Sequence, residues 1–286
     1  MGDPVIRIDA LLPAEVARRT EEVGTAKARL DTASILMLSV LAGAFISLGG
    51  IFSTTVTAGA GDTLPYGLVR LMAGLTFCLG LILVVLAGAE LFTGNTLIVM
   101  AWASGKVSTR SLLRNWVLVY AGNLAGSIAT AIVMLLTQQY TFGGGAVGRT
   151  ALLIANAKSD LDFGQALVLG MMCNALVCLA VWLTIGARTT TDKIMAIIFP
   201  ITAFVAAGFE HSVANMYFIP IGLLIKAFDP AFVSALGLDL PALTLGGFAS
   251  NLIPVTIGNI IGGTIMVAAV YWFVYIRKRG QAATGK

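Results

Sequence analysis

Charge is what this sequence has least of. Asp, Glu, Lys and Arg together make up 11% of the 286 residues, where a soluble domain carries about a quarter. With 58% hydrophobic residues and a mean hydropathy of +0.92, a water-soluble globule is excluded. Histidine occurs once, at His211. Cysteine occurs three times, at Cys78, Cys173 and Cys178, each inside an apolar run and with no Cys-x-x-Cys spacing. So few scattered ligands exclude a metal site, no cofactor is expected, and the cysteines read as small buried hydrophobes. Gly143-Gly144-Gly145 is not followed by Lys-Ser/Thr, so it is not a phosphate-binding loop. Residues 1–32 are charged throughout and run into the first apolar stretch without a cleavage pattern, so no signal peptide is expected.

What the chain has is long apolar runs, and about 20 such residues span a bilayer as one helix. Six spans are expected: about Ile35–Val56; Val69–Ala89, resuming at Thr96–Trp102; Asn115–Leu136; Ala166–Ile185; Ile194–Ala227; and Leu252–Tyr275. The third is followed by what reads as a Gly-rich hydrophilic loop to Asp162. Before the first, Leu11–Leu30 interleaves charges with apolar residues and reads as an amphipathic surface helix. The second and fifth runs carry polar breaks, at Glu90–Asn95 and Gly208–Ser212. Broken backbone within a membrane is tolerated only where it lines a cavity or is buried in protein. All but four of the 18 Lys/Arg residues fall on one side of this arrangement: Arg7, Arg18, Arg19, Lys27, Arg29, Lys106, Arg110, Arg114, Arg188, Lys193, Arg277, Lys278, Arg279 and Lys286. The positive-inside bias puts both termini in the cytoplasm. The net charge of +4 is therefore a topology signal and no sign of nucleic-acid binding. The expected organisation is a cytoplasmic amphipathic segment 1–31, a membrane domain 32–276 and a tail 277–286.

The two breaks share the pattern Gly-x-Glu-x-x-x-x-Asn, as Gly88…Glu90…Asn95 and Gly208…Glu210…Asn215. The third and sixth spans share Asn115…Gly122-Asn123…Gly126 and Asn251…Gly258-Asn259…Gly262 at identical spacing. Together these make spans one to three and four to six homologous halves, 32–138 and 160–276. Three spans per half require opposite orientations, and inverted repeats with paired broken helices place a binding site at the midplane. The amino-terminal ends of the resuming half-helices favour anions there.

Within that frame Glu90 and Glu210 are either a proton or cation site or, as their symmetry favours, anchors that accept loop N–H groups freed by the breaks. Asn95 and Asn215 close the same pattern. His211 stands where the first half has Leu91, and an ionisable residue that departs from the repeat beside a helix break is a functional candidate; the alternative is a satisfied core histidine. Thr93 and Asn174 could line the same path or bond only to helix backbone. Lys158, beside Asp160 and Asp162, reads from its neighbours as a solvated surface charge. An intramembrane enzyme would need a nucleophile–base pair or clustered ligands, which one partnerless histidine does not supply. A water or glycerol channel would carry Asn-Pro-Ala at both breaks. Neither break has it.

Leu91-Phe92-Thr93, Gly208 to Met216 (Gly-Phe-Glu-His-Ser-Val-Ala-Asn-Met) and Ile253 to Gly263 (Ile-Pro-Val-Thr-Ile-Gly-Asn-Ile-Ile-Gly-Gly) closely resemble the formate/nitrite transporter family, in particular its bacterial formate channels. The resemblance runs from about Leu12 to Arg277. It implies an all-α, aquaporin-like protomer in a homopentamer of the cytoplasmic (inner) membrane, each protomer with its own pore for formate or a related small monovalent anion, nitrite or hydrosulfide included. It also implies His211 facing substrate at mid-pore with Thr93 close by, Asn174 and Lys158 toward the periplasm, and apolar constrictions at Phe77, Leu81, Leu91, Phe92, Val177 and Phe204. It implicates the amino-terminal helix in gating and in contacts with a cytoplasmic partner. Gly94-Asn95 depart from it, standing where formate channels carry Ser-Thr.

Overall fold

The computed structural model describes residues 10–61 and 63–277. Arg7, Asp62, Lys278, Arg279, Lys286 and all of the tail after Arg277 lie outside the described residues. The described chain is helical, with no strand. Among the described residues five helices are long and apolar enough to cross a membrane: α2 (Thr32–Thr57), α3 (Tyr66–Ala87), α6 (Thr109–Leu136), α8 (Phe163–Gly186) and the run Leu245–Tyr275. That last run comprises α12 (Leu245–Ile261), a π-helical stretch Gly262–Ala269, and α13 (Val270–Tyr275).

The remaining crossing is divided. α9 (Thr190–Ala206) and α10 (Ser212–Phe228) are each 17 residues long and flank the second break. The first break follows α3 and leads into the short α4 (Phe92–Asn95) and α5 (Val99–Ala103), joined by a 3-10 turn. Both long helices end the same way: Gly88 at φ +79° and Gly208 at φ +77°. A side chain is disfavoured there, and the left-handed residue stops the helix. Six crossings result, with two of them broken. The fold is that of an integral membrane protein, with large apolar side chains such as Val117, Leu136, Phe199 and Ile265 on its outer surface.

α2 and α6 run in the same direction and touch at backbone distance. A Cβ on Gly43 would stand 2.1 Å from Asn123 O, and one on Gly126 2.0 Å from Val40 O. In the second half Gly258 and Gly262 meet Leu167 O and Met171 O at 2.1 Å in the same sense. The inverted repeat is therefore visible in the packing as well as in the sequence.

One expectation is overturned. The segment after Gly143-Gly144-Gly145 is not a loop: α7 (Ala146–Ser159) occupies most of it. Its alanines and leucines are strong helix formers, and Val147, Ala151, Leu152 and Ala155 are buried along one face. A further short helix, α11 (Pro230–Ala235), lies between α10 and α12. The amino-terminal helix is present as α1 (Pro13–Arg29). α1 packs on the segment after the first break, residues 96–103, and on the end of α8, where Leu11 N–H donates to Gly186 O. α7 lies beyond the far ends of α2 and α6. The two short helices therefore sit at opposite ends of the bundle.

Candidate functional site

Each break leaves backbone groups without helical partners, and an asparagine from the third span of its own half satisfies them. Asn123 Oδ1 accepts from Phe92 N–H at 2.9 Å, while its Nδ2 donates to Ser39 O and Glu90 O at 2.8 and 2.9 Å. Asn259 repeats this: Oδ1 accepts from Ser212 N–H at 2.9 Å, and Nδ2 donates to Gly170 O and Glu210 O at 2.8 and 2.9 Å.

The glutamates therefore do not hold the loop N–H groups expected from the sequence. Each carboxylate accepts from side chains instead. Glu90 Oε1 takes Lys27 Nζ at 2.7 Å and Oε2 takes Asn95 Nδ2 at 2.6 Å. Glu210 takes Lys158 Nζ at 2.7 Å and Asn215 Nδ2 at 2.6 Å. Asn115 and Asn251 extend the clusters, accepting from Asn95 and Asn215 and donating to the backbone O of Lys27 and Lys158. The two carboxylates are 4% exposed. A charge that far from water needs a counter-charge and hydrogen bonds, and both are in place.

Lys158 is thus not the solvated surface charge that Asp160 and Asp162 implied: burial of α7 turns it inward, onto Glu210. Lys27, its counterpart on α1, is a residue that sequence reasoning passed over. No spacing pointed to it, since Lys27 stands 63 residues before Glu90 and Lys158 only 52 before Glu210; their equivalence shows in the structure, where the carbonyls of Lys27 and Lys158 meet the corresponding Asn115 and Asn251. The copies differ in detail: Lys27 Nζ also donates to Asn95 Oδ1 at 3.1 Å, whereas Asn215 Oδ1 has no partner and Asn251 Nδ2 donates to Glu210 Oε2 at 3.3 Å. Lys158 instead sits 5.6 Å over the Phe218 ring.

Between the clusters the breaks meet. His211, the N-cap of α10, accepts the Ala214 N–H on Nδ1 at 3.1 Å. A ring nitrogen that accepts carries no proton, so the neutral tautomer has its proton on Nε2. Nε2 lies 2.9 Å from Thr93 Oγ1 and donates to it. Both side chains are buried. The Phe204 ring stacks on the imidazole at 5.9 Å, and Phe77 lies edge-on to Phe204 at 5.8 Å.

A cavity of about 590 Å³ runs from the α7 end of the bundle to this point. Lys158, Arg70 and Arg149 stand on its walls, and Phe77, Phe204, Phe218, Ala214 and His211 line it further. Arg70, also unremarked in the sequence, donates Nε to Ala206 O at 3.2 Å and a guanidinium N–H to Val205 O. It thereby caps the carbonyl end of α9 just before the break. Leu81, Leu91, Phe92 and Val177 are buried in the surrounding core without lining this cavity; Phe92 packs against Trp116 and Tyr120. Asn174 does not line it either. Its Nδ2 donates to Asn259 O at 2.6 Å and approaches Thr93 O and Thr96 Oγ1 at 3.2 Å. Among the described residues no cluster of His, Cys, Asp and Glu could hold a metal ion.

Two inverted halves, paired broken helices and a charged vestibule ending on buried polar side chains define a membrane transport protein. The formate/nitrite transporter family model matches residues 14–273. The formate channel FocA of Escherichia coli (strain K12) is 43% identical over 275 residues, 94% of this chain and 96% of that protein. FocA of Haemophilus influenzae is 42% identical, covering 90% of this chain and 92% of that one. Among solved structures, a pentameric formate channel with formate bound superposes with a TM-score of 0.81 at 47% identity, over 86% of this chain and 98% of that one. An FNT family ion channel does so at 0.76 and 31%, over 91% and 98%. The chain belongs to the formate/nitrite transporter family, a family of transporters and not of enzymes.

Proposed function

We propose that this protein is a formate channel, passing formate and related small monovalent anions through residues 32–276 of each protomer of a homopentamer. It resides in the cytoplasmic (inner) membrane with both termini inside, the side favoured by Arg18, Arg19, Lys27, Lys106, Arg110, Arg114, Arg188 and Lys193. The cavity at the α7 end is then the periplasmic vestibule. Lys158 and Arg149 attract the anion into it, and the apolar ring of Phe77 and Phe204 excludes hydrated ions.

The observation that carries this reading is the 2.9 Å contact between Thr93 Oγ1 and His211 Nε2 at the point where the vestibule ends. Nε2–H is a donor placed for an arriving carboxylate, and Thr93 Oγ1 orients it. Protonating the ring puts a proton on Nδ1 and releases the Ala214 N–H that this nitrogen accepts; transfer of the Nε2 proton to the carboxylate then leaves neutral imidazole, its proton on Nδ1, and neutral formic acid. A neutral molecule crosses apolar walls such as Leu91 and Val177 at far lower cost than a bare charge. This makes transport pH-sensitive and couples it to a proton.

Formate flux into proteoliposomes at two pH values, for the parent and His211→Phe, tests the reading. The parent should show pH-dependent flux and the variant should not. Identical profiles for the two would sink it. Competition by nitrite and hydrosulfide in the same vesicles separates formate from the other anions of the family.

A further inference from the structure

The two repeats fill one helix crossing in different ways. Ser39 and Gly170, whose carbonyls accept from Asn123 and Asn259, set the register between α2 and α8. Four residues on, Gly43 corresponds to Asn174. Four residues after Asn123 and Asn259, Ser127 corresponds to Gly263. In the first half the side chain sits on α6: Ser127 Oγ donates to Gly43 O at 3.2 Å. In the second half it has moved to α8. A Cβ on Gly263 would stand 2.1 Å from Thr96 Oγ1 and 2.5 Å from Asn174 Nδ2. The Gly–Ser pair has become an Asn–Gly pair. The backbone follows the change: α6 is regular through Ser127, whereas its counterpart is π-helical from Gly262 to Ala269, a distortion that often marks functional sites.

The exchange gives the second half an amide in the middle of the bundle. One Nδ2 hydrogen is taken by Asn259 O at 2.6 Å, and the other is shared between Thr93 O and Thr96 Oγ1, both at 3.2 Å. Asn259 is the residue whose side chain holds Glu210 O and Ser212 N–H, on either side of His211. One buried side chain therefore ties the carbonyl of Thr93 to the residue that pins both neighbours of His211. Gly43 offers nothing equivalent to the first half.

We infer that Asn174 is a positioning residue: through Thr93 O and Asn259 O it sets the separation of Thr93 Oγ1 and His211 Nε2, and glycine at position 263 admits it together with Thr96. The inference rests on the proposed substrate role of Thr93 and His211, but its structural part can be tested apart from that role.

The double variant Asn174→Gly/Gly263→Ser transplants the first repeat's pair into the second, and Asn174→Ala removes the amide without adding atoms elsewhere. Cryo-EM of both in nanodiscs measures the Thr93–His211 separation, and proteoliposome assays measure formate flux against pH. With the amide gone, the separation should open beyond about 3.5 Å. Flux should fall about tenfold or more with a displaced pH profile, which a merely structural filler would leave in place. Gly263→Ser alone should lower thermal stability, and adding Asn174→Gly should recover only part of the loss, because Thr96 Oγ1 still stands 2.1 Å from a Cβ there. A separation unchanged at 2.9 Å in Asn174→Ala overturns the inference, whatever the flux. The same holds if the contact opens but the pH profile is that of the parent. If the double variant does not assemble, Asn174→Ala carries both readouts. A parent that passes no formate refutes the substrate reading, and the measured separation still decides the positioning role.

Discussion

Replacing Asn259 by alanine strips three buried backbone groups of their side-chain partner at once. Ser212 N–H, the first amide of α10, has no other acceptor, so leaving it unpaired costs about 1–3 kcal/mol. Gly170 O sits inside α8, and both it and Glu210 O keep a second lone pair, so losing each of those bonds costs about 0.5–1.5 kcal/mol. The sum is roughly 2–6 kcal/mol, centred near 4, which at 1.4 kcal/mol per decade is almost a thousandfold in the folded/unfolded ratio. Asn123 makes the same three kinds of bond to Phe92 N–H, Ser39 O and Glu90 O. Asn123→Ala should therefore cost the same to within about 1 kcal/mol. Denaturant unfolding of the detergent-solubilised protein, followed by tryptophan fluorescence, gives both values. A loss below about 1 kcal/mol at either site, or a gap above about 2 between them, would refute the claim that these asparagines hold the breaks.

Gly126→Ala puts a methyl where Val40 O lies 2.0 Å away. Two backbones must separate, and a loss of about 1–3 kcal/mol or more follows, read in the same unfolding assay. Glu210→Gln keeps shape but offers one acceptor to three donors, Lys158, Asn215 and Asn251. It should cost about 1–3 kcal/mol, and Glu90→Gln should match it; a neutral Gln at both sites would count against the anchor role. Lys158→Ala should lower formate uptake most at low ionic strength, because screening shrinks from about 10 Å at 0.1 M salt to 3 Å at 1 M. Parallel salt dependences for parent and variant would remove Lys158 from anion capture. Asp31 caps α2 outside the membrane: the Ser34 hydroxyl and N–H beside it hold its carboxyl below the ordinary 3.8. A carboxyl depressed in the folded state stabilises above its unfolded value and loses that contribution as pH falls through the folded one. Asp31→Ala should therefore destabilise at neutral pH and make no difference at the acid end of a thermal-melt series.

Much of this architecture could be read before any coordinates. Charge scarcity and run length gave the membrane spans. Gly-x-Glu-x-x-x-x-Asn gave the paired breaks, and His211 standing where the repeat has Leu91 singled out the site. These are local or periodic properties, and a bilayer enforces them on each segment separately, since every span must satisfy its own length and polarity. What could not be read were partnerships across the chain. α7 looked like a loop because its short apolar face, Val147 to Ala155, is set in a Gly-rich, polar surround and is far below membrane length. Once it is seen as a helix, Lys158 turns from a surface charge into the counter-ion of Glu210, and Lys27 becomes its mirror image.

The same limit applies to Asn174 and Arg70. Composition can say that a buried polar group needs partners, but not which carbonyls are within 3 Å, because that is set by helix crossings fixed by glycines distant in sequence. The sequence by itself therefore determined that there are two inverted halves with a break in each, and where the one histidine falls. Only the tertiary structure decided what holds the breaks: two asparagines on the loop backbone, two Lys–Glu pairs, and one amide joining the halves at Thr93. Hydrogen bonds between residues 31 to 136 positions apart are made by packing, and no spacing rule along a chain anticipates them.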